Sequence, residues 1–199
     1  MRRLREREVT FEVDESWRMP DLAEVQPDGA TLDASTDELQ AIYFDTPQAT
    51  LQRLGVTLRR RTGGADAGWH LKVTEGPART EYQSRARGPR VPQALNRLLA
   101  GVLAGQELGE VATITTTRFA TRLRDQHGAL VVEVADDHVA GATIGEVARL
   151  DRWREVEVEL GPSGDETLLT KITKVFRKAD ARPATLQRKL DRLRTLNGS

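Results

Sequence analysis

The sequence has no cysteine in its 199 residues, so disulfide bonds and thiolate metal sites are excluded. It has only three histidines, which are scattered along the chain and argue against a zinc site. Any bound metal is therefore expected to be a hard cation held by carboxylate oxygens. No apolar run approaches the roughly 20 residues that a membrane-spanning helix needs, and we expect a cytoplasmic protein with no membrane partner.

An excess of positive charge is also missing. Lys plus Arg and Asp plus Glu number 30 each, so the composition does not favour DNA as a partner. A phosphate-binding P-loop is absent, because Gly63-Gly64 is not followed by a Gly-Lys-Ser/Thr element. The length suits one domain with a sizeable core, and we expect residues 1–199 to form a single domain.

Apolar and polar residues alternate along much of the chain, which predicts β-strands with two chemically different faces. In the first strand Val9, Phe11 and Val13 share one face, and glutamates occupy most of the other. The predicted strands cover residues 5–13, 39–44, 56–62, 69–74, 79–87, 112–124, 130–135 and 153–160. Helices are predicted after Thr46, within 91–108, after Asp165 and within 186–196. The pattern therefore predicts an α+β fold with about eight strands.

The polar faces of these strands are sorted by the sign of their charge. Arg59 and Arg61 share a face, as do Glu157 and Glu159 on a later strand. Like charges on one face repel, although a solvated surface tolerates this at small cost. Because several strands repeat the pattern while their opposite faces are apolar, we expect the charged faces to line a shared interior. Arginine binds phosphate oxygens and clustered carboxylates bind Mg²⁺ or Mn²⁺, so this interior is predicted to hold a polyanion with a metal.

Two motifs stand out: residues 6–10 read EREVT, and residues 43–61 contain YFDTP followed by GVTLRRR. They resemble the E-x-E-x-K signature and the block YFDTP followed by GxxLRxR of the CYTH superfamily, whose members are also called triphosphate tunnel metalloenzymes. Residues 69–72 (WHLK), 79–81 and 153–160 (WREVEVEL) resemble its later strands, in the same order along the chain. These motifs are most similar to the CYTH part of bacterial CYTH–CHAD proteins, although no CHAD helices follow in this sequence.

This resemblance implies an eight-stranded antiparallel closed β-barrel, the triphosphate tunnel, with helices packed outside. It also implies a divalent metal cofactor, Mg²⁺ or Mn²⁺, and a triphosphate or polyphosphate ligand. The implied metal ligands are Glu6, Glu8, Asp137, Glu157 and Glu159, and the four glutamates are also the implied catalytic residues. The implied substrate-binding residues are Arg59, Arg61, Lys72, Arg79, Arg118, Arg122 and Lys189.

One residue departs from the superfamily signature. Thr10 stands where the signature has lysine, and a hydroxyl cannot give a positive charge to a phosphate. We expect metal-dependent hydrolysis of inorganic triphosphate or a related compound, weakened by Thr10. Two alternatives are open: a non-catalytic polyphosphate-binding module, and an adenylate cyclase, which would need a base pocket. A CHAD domain in a longer parent chain, and a monomeric or homodimeric state, are also compatible with the sequence.

Overall fold

The structure is a computed structural model that describes residues 1–75, 78–145, 148–185 and 189–195, with the backbone alone at residues 6, 75, 78, 194 and 195. Its strands are β1 (Arg2–Glu6), β2 (Glu8–Val13), β3 (Thr31–Asp45), β4 (Val56–Thr62), β5 (Gly68–Glu75), β6 (Ala78–Ser84), β7 (Gly109–Arg124), β8 (Leu130–Thr143), β9 (Leu150–Leu160) and β10 (Arg182–Pro183). Its helices are α1 (Thr50–Arg53), α2 (Gln93–Leu103), α3 (Glu166–Lys178) and α4 (Lys189–Thr195), and a 3₁₀ turn spans Ala23–Val25.

The strands form one curled antiparallel sheet in the order β1-β6-β5-β4-β3-β7-β8-β9-β2-β10. Only Arg7 separates β1 from β2, yet β1 pairs with β6 and β2 pairs with β9. The Arg7 side chain donates hydrogen bonds to the carbonyl oxygens of Gly161 and Gly164, each at 3.1 Å. The α+β class is confirmed, but the described residues give a ten-stranded curled sheet, and the closed eight-stranded barrel is not confirmed.

The outer face of the sheet is apolar and is covered by helices. Phe176 and Ile172 of α3 pack with Phe11 and Val156, and Leu95 of α2 belongs to a second cluster with β4 and β5. Helix α3 begins where the sequence predicts, because the Asp165 carboxylate accepts a hydrogen bond from the backbone N–H of Leu168 at 2.8 Å. Burying this apolar face places the alternate, charged residues of the same strands on the inner face.

Helix α4 packs on the inner face, which corrects the expectation that all helices lie outside. Its residues Leu190 and Leu193 join a buried cluster with Tyr43, Ile114 and Trp153. The inner face is charged along one part of these strands and apolar along the rest, so the apolar side of α4 can cover the apolar part. Gly141 permits the approach, since an added Cβ there would lie 2.7 Å from a methyl group of Leu193.

Other element boundaries also differ from the sequence-based predictions. Strand β3 begins at Thr31 rather than at residue 39, because its exposed first half pairs only with β7. Helix α1 begins at Thr50 rather than after Thr46, and the Asp45 carboxylate accepts hydrogen bonds from the N–H groups of Leu51 and Gln52 at 2.9 and 3.2 Å. No helix in the described part of the chain is long and apolar enough to cross a membrane.

Candidate functional site

The inner face of the sheet borders a cavity of about 660 Å³ to which nine of the ten strands contribute residues. The cations of its lining are Arg2, Arg5, Arg7, Arg59, Arg61, Lys72, Arg118, Arg122 and Arg124. The carboxylates of its lining are Glu8, Asp37, Asp66, Glu81, Glu133, Glu157 and Glu159. Among the described lining residues there is no Phe, Tyr, Trp or His. The cavity is therefore built to hold a charged ligand rather than an aromatic one.

Three carboxylates form a cluster on β8 and β9. One oxygen from each of Asp137, Glu155 and Glu157 lies within 4.8 Å of the others. The Lys189 ammonium of α4 donates to Asp137 Oδ2 at 2.9 Å and to Glu157 Oε1 at 2.7 Å, and it also contacts Glu155. Burial alone would raise the pKa of Glu157, but Lys189 and Arg118 hold that pKa well below its usual range. Burial raises the pKa of Glu155, although Lys189 opposes the change.

Arg118 of β7 connects this cluster to the wider cavity. Its Nε and Nη2 atoms donate to the two oxygens of Asp137 at 2.7 Å each, and Nη2 also donates to Glu157 at 2.6 Å. One helical side chain and one strand side chain, Lys189 and Arg118, thus neutralise part of the same carboxylate cluster. Four residues further along β7, Arg122 donates to Glu133 at 2.6 Å. The guanidinium groups therefore stay charged and lie beside carboxylates along one strand.

Strand β4 brings two further guanidinium groups to the cavity, and neither is fully paired. Arg61 donates to Asp66 at 2.7 Å, and Arg59 donates to the Tyr43 hydroxyl at 3.4 Å. The Nε atoms of both arginines are buried and have no hydrogen-bond acceptor among the described residues. Burial, and then the positive charge of Arg59, lower the pKa of Arg61, although Asp66 opposes the change. An anion would supply the missing acceptors.

His70 of β5 lies fully buried between the β4–β5 loop and β6. Its Nδ1 faces Glu81 at 2.9 Å and its Nε2 faces the backbone carbonyl of Asp66 at 2.8 Å, so both ring nitrogens face acceptors. Burial alone would raise the pKa of Glu81, but the hydrogen bond to His70 and the charges of Lys72 and Arg59 lower it. Lys72 Nζ lies 4.0 Å from Glu81. The His70 ring thereby links the β4–β5 loop, whose Asp66 accepts a hydrogen bond from Arg61, to β6, whose Glu81 lies opposite Lys72.

The predicted residues near the strand break at Arg7 also face the cavity. Glu8 lies directly opposite Glu159 on β9 and contacts the Arg79 guanidinium. Glu159 in turn lies opposite Glu133 on β8. The backbone of Glu6 pairs with Arg79 on β6, whereas its side chain lies outside the described part of the structure. The structure therefore brings together every other predicted site residue, while their chemical roles stay predictions.

The carboxylates suit a hard divalent cation. The Asp137, Glu155 and Glu157 cluster offers oxygen ligands at close range, which is the donor type that Mg²⁺ and Mn²⁺ prefer. The neighbouring Glu8 and Glu159 extend the set of carboxylates along β2 and β9. The Lys189 ammonium contacts these carboxylates, so a metal ion there would share the carboxylates with the ammonium or displace the ammonium. The acidic residues could therefore hold a metal, and the residues present fit one.

Some residues at the site did not stand out in the sequence. Glu155 was not among the predicted metal ligands, yet it is buried and contacts Lys189. The sequence did contain one indication, because Glu155 is two residues from Glu157 and therefore lies on the same face of the strand. His70 has the same parity as Lys72, but a single histidine gave no reason to expect contacts on both sides. Asp66 lies in a glycine-rich loop, where the sequence gives no information about contacts with Arg61.

The chain is similar to a known domain family and to part of a longer relative. Residues 4–188 match the model of the CYTH domain family. An uncharacterized protein of Mycobacterium tuberculosis, found in strains CDC 1551 and H37Rv, is 36% identical over an alignment 202 residues long, gaps included. The alignment covers 94% of this chain. The match spans only 39% of the length of that relative, so this chain corresponds to less than half of it.

Solved structures share the fold at low sequence identity. A crystal structure of a putative adenylate cyclase from Bacillus halodurans has a TM-score of 0.62 and 14% identity, with 96% of this chain and 98% of the other covered. A putative adenylyl cyclase from Hippeastrum, described as having a dominant triphosphatase activity, has a TM-score of 0.53 and 14% identity, with 98% and 97% covered. The CHAD domain and the oligomeric state stay predictions. From the family match over most of its length, the chain belongs to the CYTH domain family.

Proposed function

We propose that the protein hydrolyses inorganic triphosphate, or a related triphosphate compound, in a reaction that depends on a divalent metal. The observation that carries this proposal is the pair of guanidinium groups of Arg59 and Arg61, whose buried Nε donors lack acceptors in the described part of the chain. They face the same cavity as the acidic residues of β8 and β9. A site with unpaired cationic donors on one side and clustered carboxylates on the other suits a phosphate chain that carries a metal.

The basic residues would bind and orient the phosphate chain. Arg59, Arg61 and Lys72 approach from β4 and β5, and Arg118 approaches from β7 on the far side of β3. Arg79 and Arg122 extend this set along β6 and β7. Guanidinium forks bind pairs of phosphate oxygens, so several of them fix the chain in one register. Their charges would also offset the negative charge that gathers on the leaving phosphate.

The acidic residues would hold the metal. Asp137, Glu157, Glu159 and Glu8 are the proposed ligands, together with Glu6 from the sequence pattern. When bound, Mg²⁺ or Mn²⁺ would neutralise phosphate oxygens and lower the pKa of a coordinated water. Glu157 stays ionised at neutral pH, because Lys189 and Arg118 lower its pKa even though burial opposes ionisation. The hydrolysis itself adds water to a terminal phosphorus and breaks the bond to the bridging oxygen, which leaves with the diphosphate.

Two features separate this proposal from its alternatives. No aromatic side chain is among the described residues that line the cavity, and Tyr43, which accepts a hydrogen bond from Arg59, is 3% exposed and packs in the apolar cluster with Leu190. Stacking of a nucleobase therefore has no support there, and adenylate cyclase activity is disfavoured. A non-catalytic polyphosphate-binding module is the second candidate. Thr10 in place of a lysine, and the ammonium of Lys189 among the carboxylates, favour that candidate. Turnover distinguishes hydrolysis from binding.

The test is phosphate release from tripolyphosphate, thiamine triphosphate and ATP with Mg²⁺ or Mn²⁺. We expect release from tripolyphosphate that stops when the metal is chelated. The double variant Glu157→Gln, Glu159→Gln should lose activity by at least about 100-fold, because it removes two metal ligands. The matched control Glu107→Gln changes an exposed glutamate that does not line the cavity and should keep full activity.

The outcomes separate the candidates. Release that is independent of metal, or that the double variant retains, would contradict the proposal. No release from the three compounds, combined with tripolyphosphate binding that raises the melting temperature, would support the binding module instead. Formation of cyclic AMP from ATP would support a cyclase.

A further inference from the structure

Thr10 is a neutral residue in the middle of an acidic surface. It lies directly opposite Glu157 on β9, and Glu8 and Glu12 flank it on the same face of β2. The Thr10 side chain is buried, with 2% of its surface exposed. Its hydroxyl has no hydrogen-bond partner among the described residues. Position 10 therefore faces carboxylates and offers them no positive charge.

The chain reaches Lys189 from a point next to Thr10. The N–H of Ala184 donates to the backbone carbonyl of Thr10 at 2.9 Å, directly after β10 pairs with β2. Helix α4 then begins at Lys189, and its residues Leu190 and Leu193 are buried in the apolar cluster on the inner face. This packing fixes the start of α4 beside the carboxylates.

The Lys189 ammonium lies among three carboxylates. It is 2.7 Å from Glu157 and 2.9 Å from Asp137, it contacts Glu155, and its side chain is 8% exposed. Two of these acids, Glu155 and Glu157, belong to the part of β9 that pairs with residues 10–12 of β2. Lys189 contacts all three acids, and Arg118 contacts Asp137 and Glu157.

We propose that Lys189 supplies, from α4, the positive charge that position 10 lacks, and that the two positions are interchangeable carriers of this charge. Lys189 is thus a positioning residue: it neutralises the acids opposite Thr10, so that the cavity accepts a phosphate chain rather than repelling it. The effect of Lys189 on phosphate binding rests on the proposed function. Its neutralisation of the acids does not, because it follows from the contacts of Lys189 alone.

The experiment is a charge transfer between the two positions, using Lys189→Met, Thr10→Lys and the double variant. Without ligand, Lys189→Met should lower the melting temperature by about 6–15 °C, because Asp137, Glu155 and Glu157 would lose the ammonium that contacts all three. The double variant should recover at least half of this loss. Lys171→Met, which removes an exposed lysine of α3, is the matched control and should melt like the wild type.

Binding of tripolyphosphate without metal, measured by calorimetry, is the second readout. Lys189→Met should bind about 10- to 100-fold more weakly than the wild type, and the double variant should regain most of the affinity. A double variant no more stable than Lys189→Met overturns the proposal. If Lys189→Met does not fold, a folded double variant is the expected result, and one that also fails to fold overturns it. If the wild type does not bind tripolyphosphate, the proposed function fails, while the melting temperatures still decide this inference.

Discussion

Replacing Arg118 by methionine is expected to destabilise the protein strongly. The guanidinium donates two hydrogen bonds to Asp137 and one to Glu157, all between 2.6 and 2.7 Å, and its side chain is 13% exposed. The variant would keep both carboxylates, of which Asp137 is fully buried, and remove a cation that pairs with each of them. Breaking a buried pair in this way costs about 3–5 kcal/mol. For a chain of this size that corresponds to a fall of roughly 6–20 °C in melting temperature.

Arg124→Met is the matched control for this change. Arg124 lies on the same face of β7 and donates to Asp33 at 2.6 Å, but the two side chains are 37% and 45% exposed. Because exposed ion pairs contribute about 0–1 kcal/mol, its melting temperature should fall by no more than about 4 °C. Thermal unfolding of both variants, followed by circular dichroism at pH 7, measures the difference. Equal melting temperatures for Arg118→Met and Arg124→Met would refute the reasoning, since burial would then make no difference.

Two further predictions concern Glu81, in the charged network of β5 and β6, and Gly63, in the turn after β4. The pKa of Glu81 is lowered from 4.5, because His70 and neighbouring cations outweigh burial, so its stabilising contribution is present at neutral pH and is lost as the pH falls below 4.5. Glu81→Gln should therefore lower the urea midpoint at pH 7 and make its decline below pH 4.5 shallower, and an unchanged decline would contradict this. Gly63→Ala should destabilise by more than about 3 kcal/mol, because its Cβ would meet the Glu38 carbonyl oxygen at 1.9 Å. Gly128→Ala has a similar positive φ and no neighbour within 4 Å, so it should cost only about 1–2 kcal/mol, and equal losses would refute the role of the contact.

Alternation along the strands predicted which charged residues share the inner face of the sheet. Arg59 and Arg61, and likewise Glu157 and Glu159, have the same parity in the sequence and line the same cavity in the structure. Parity works here because the opposite faces are apolar and must be buried, which leaves the charged faces only the interior. Helical spacing of apolar residues after the capping residue Asp165 likewise predicted α3.

The sequence could not show contacts that depend on where elements pack. The position of Lys189 depends on the packing of α4 against the inner face, where Trp153 and Val139 replace charged residues. The His70 contacts depend on a loop backbone and on a residue of β6, eleven positions away. Strand β3 was predicted too short, because residues 31–38 are exposed and their alternation is weak. In each case the deciding interaction joins residues on different elements, and local pattern carries no information about it.

A structure with the ligand bound would test the central claim most directly. The protein would be crystallised with tripolyphosphate and Mn²⁺, and anomalous scattering would locate the manganese. We expect manganese beside the carboxylates of Asp137, Glu157 and Glu159, with the phosphate chain extending toward Arg59 and Arg61. Tripolyphosphate bound on the outer surface, or manganese away from these carboxylates, would contradict the account.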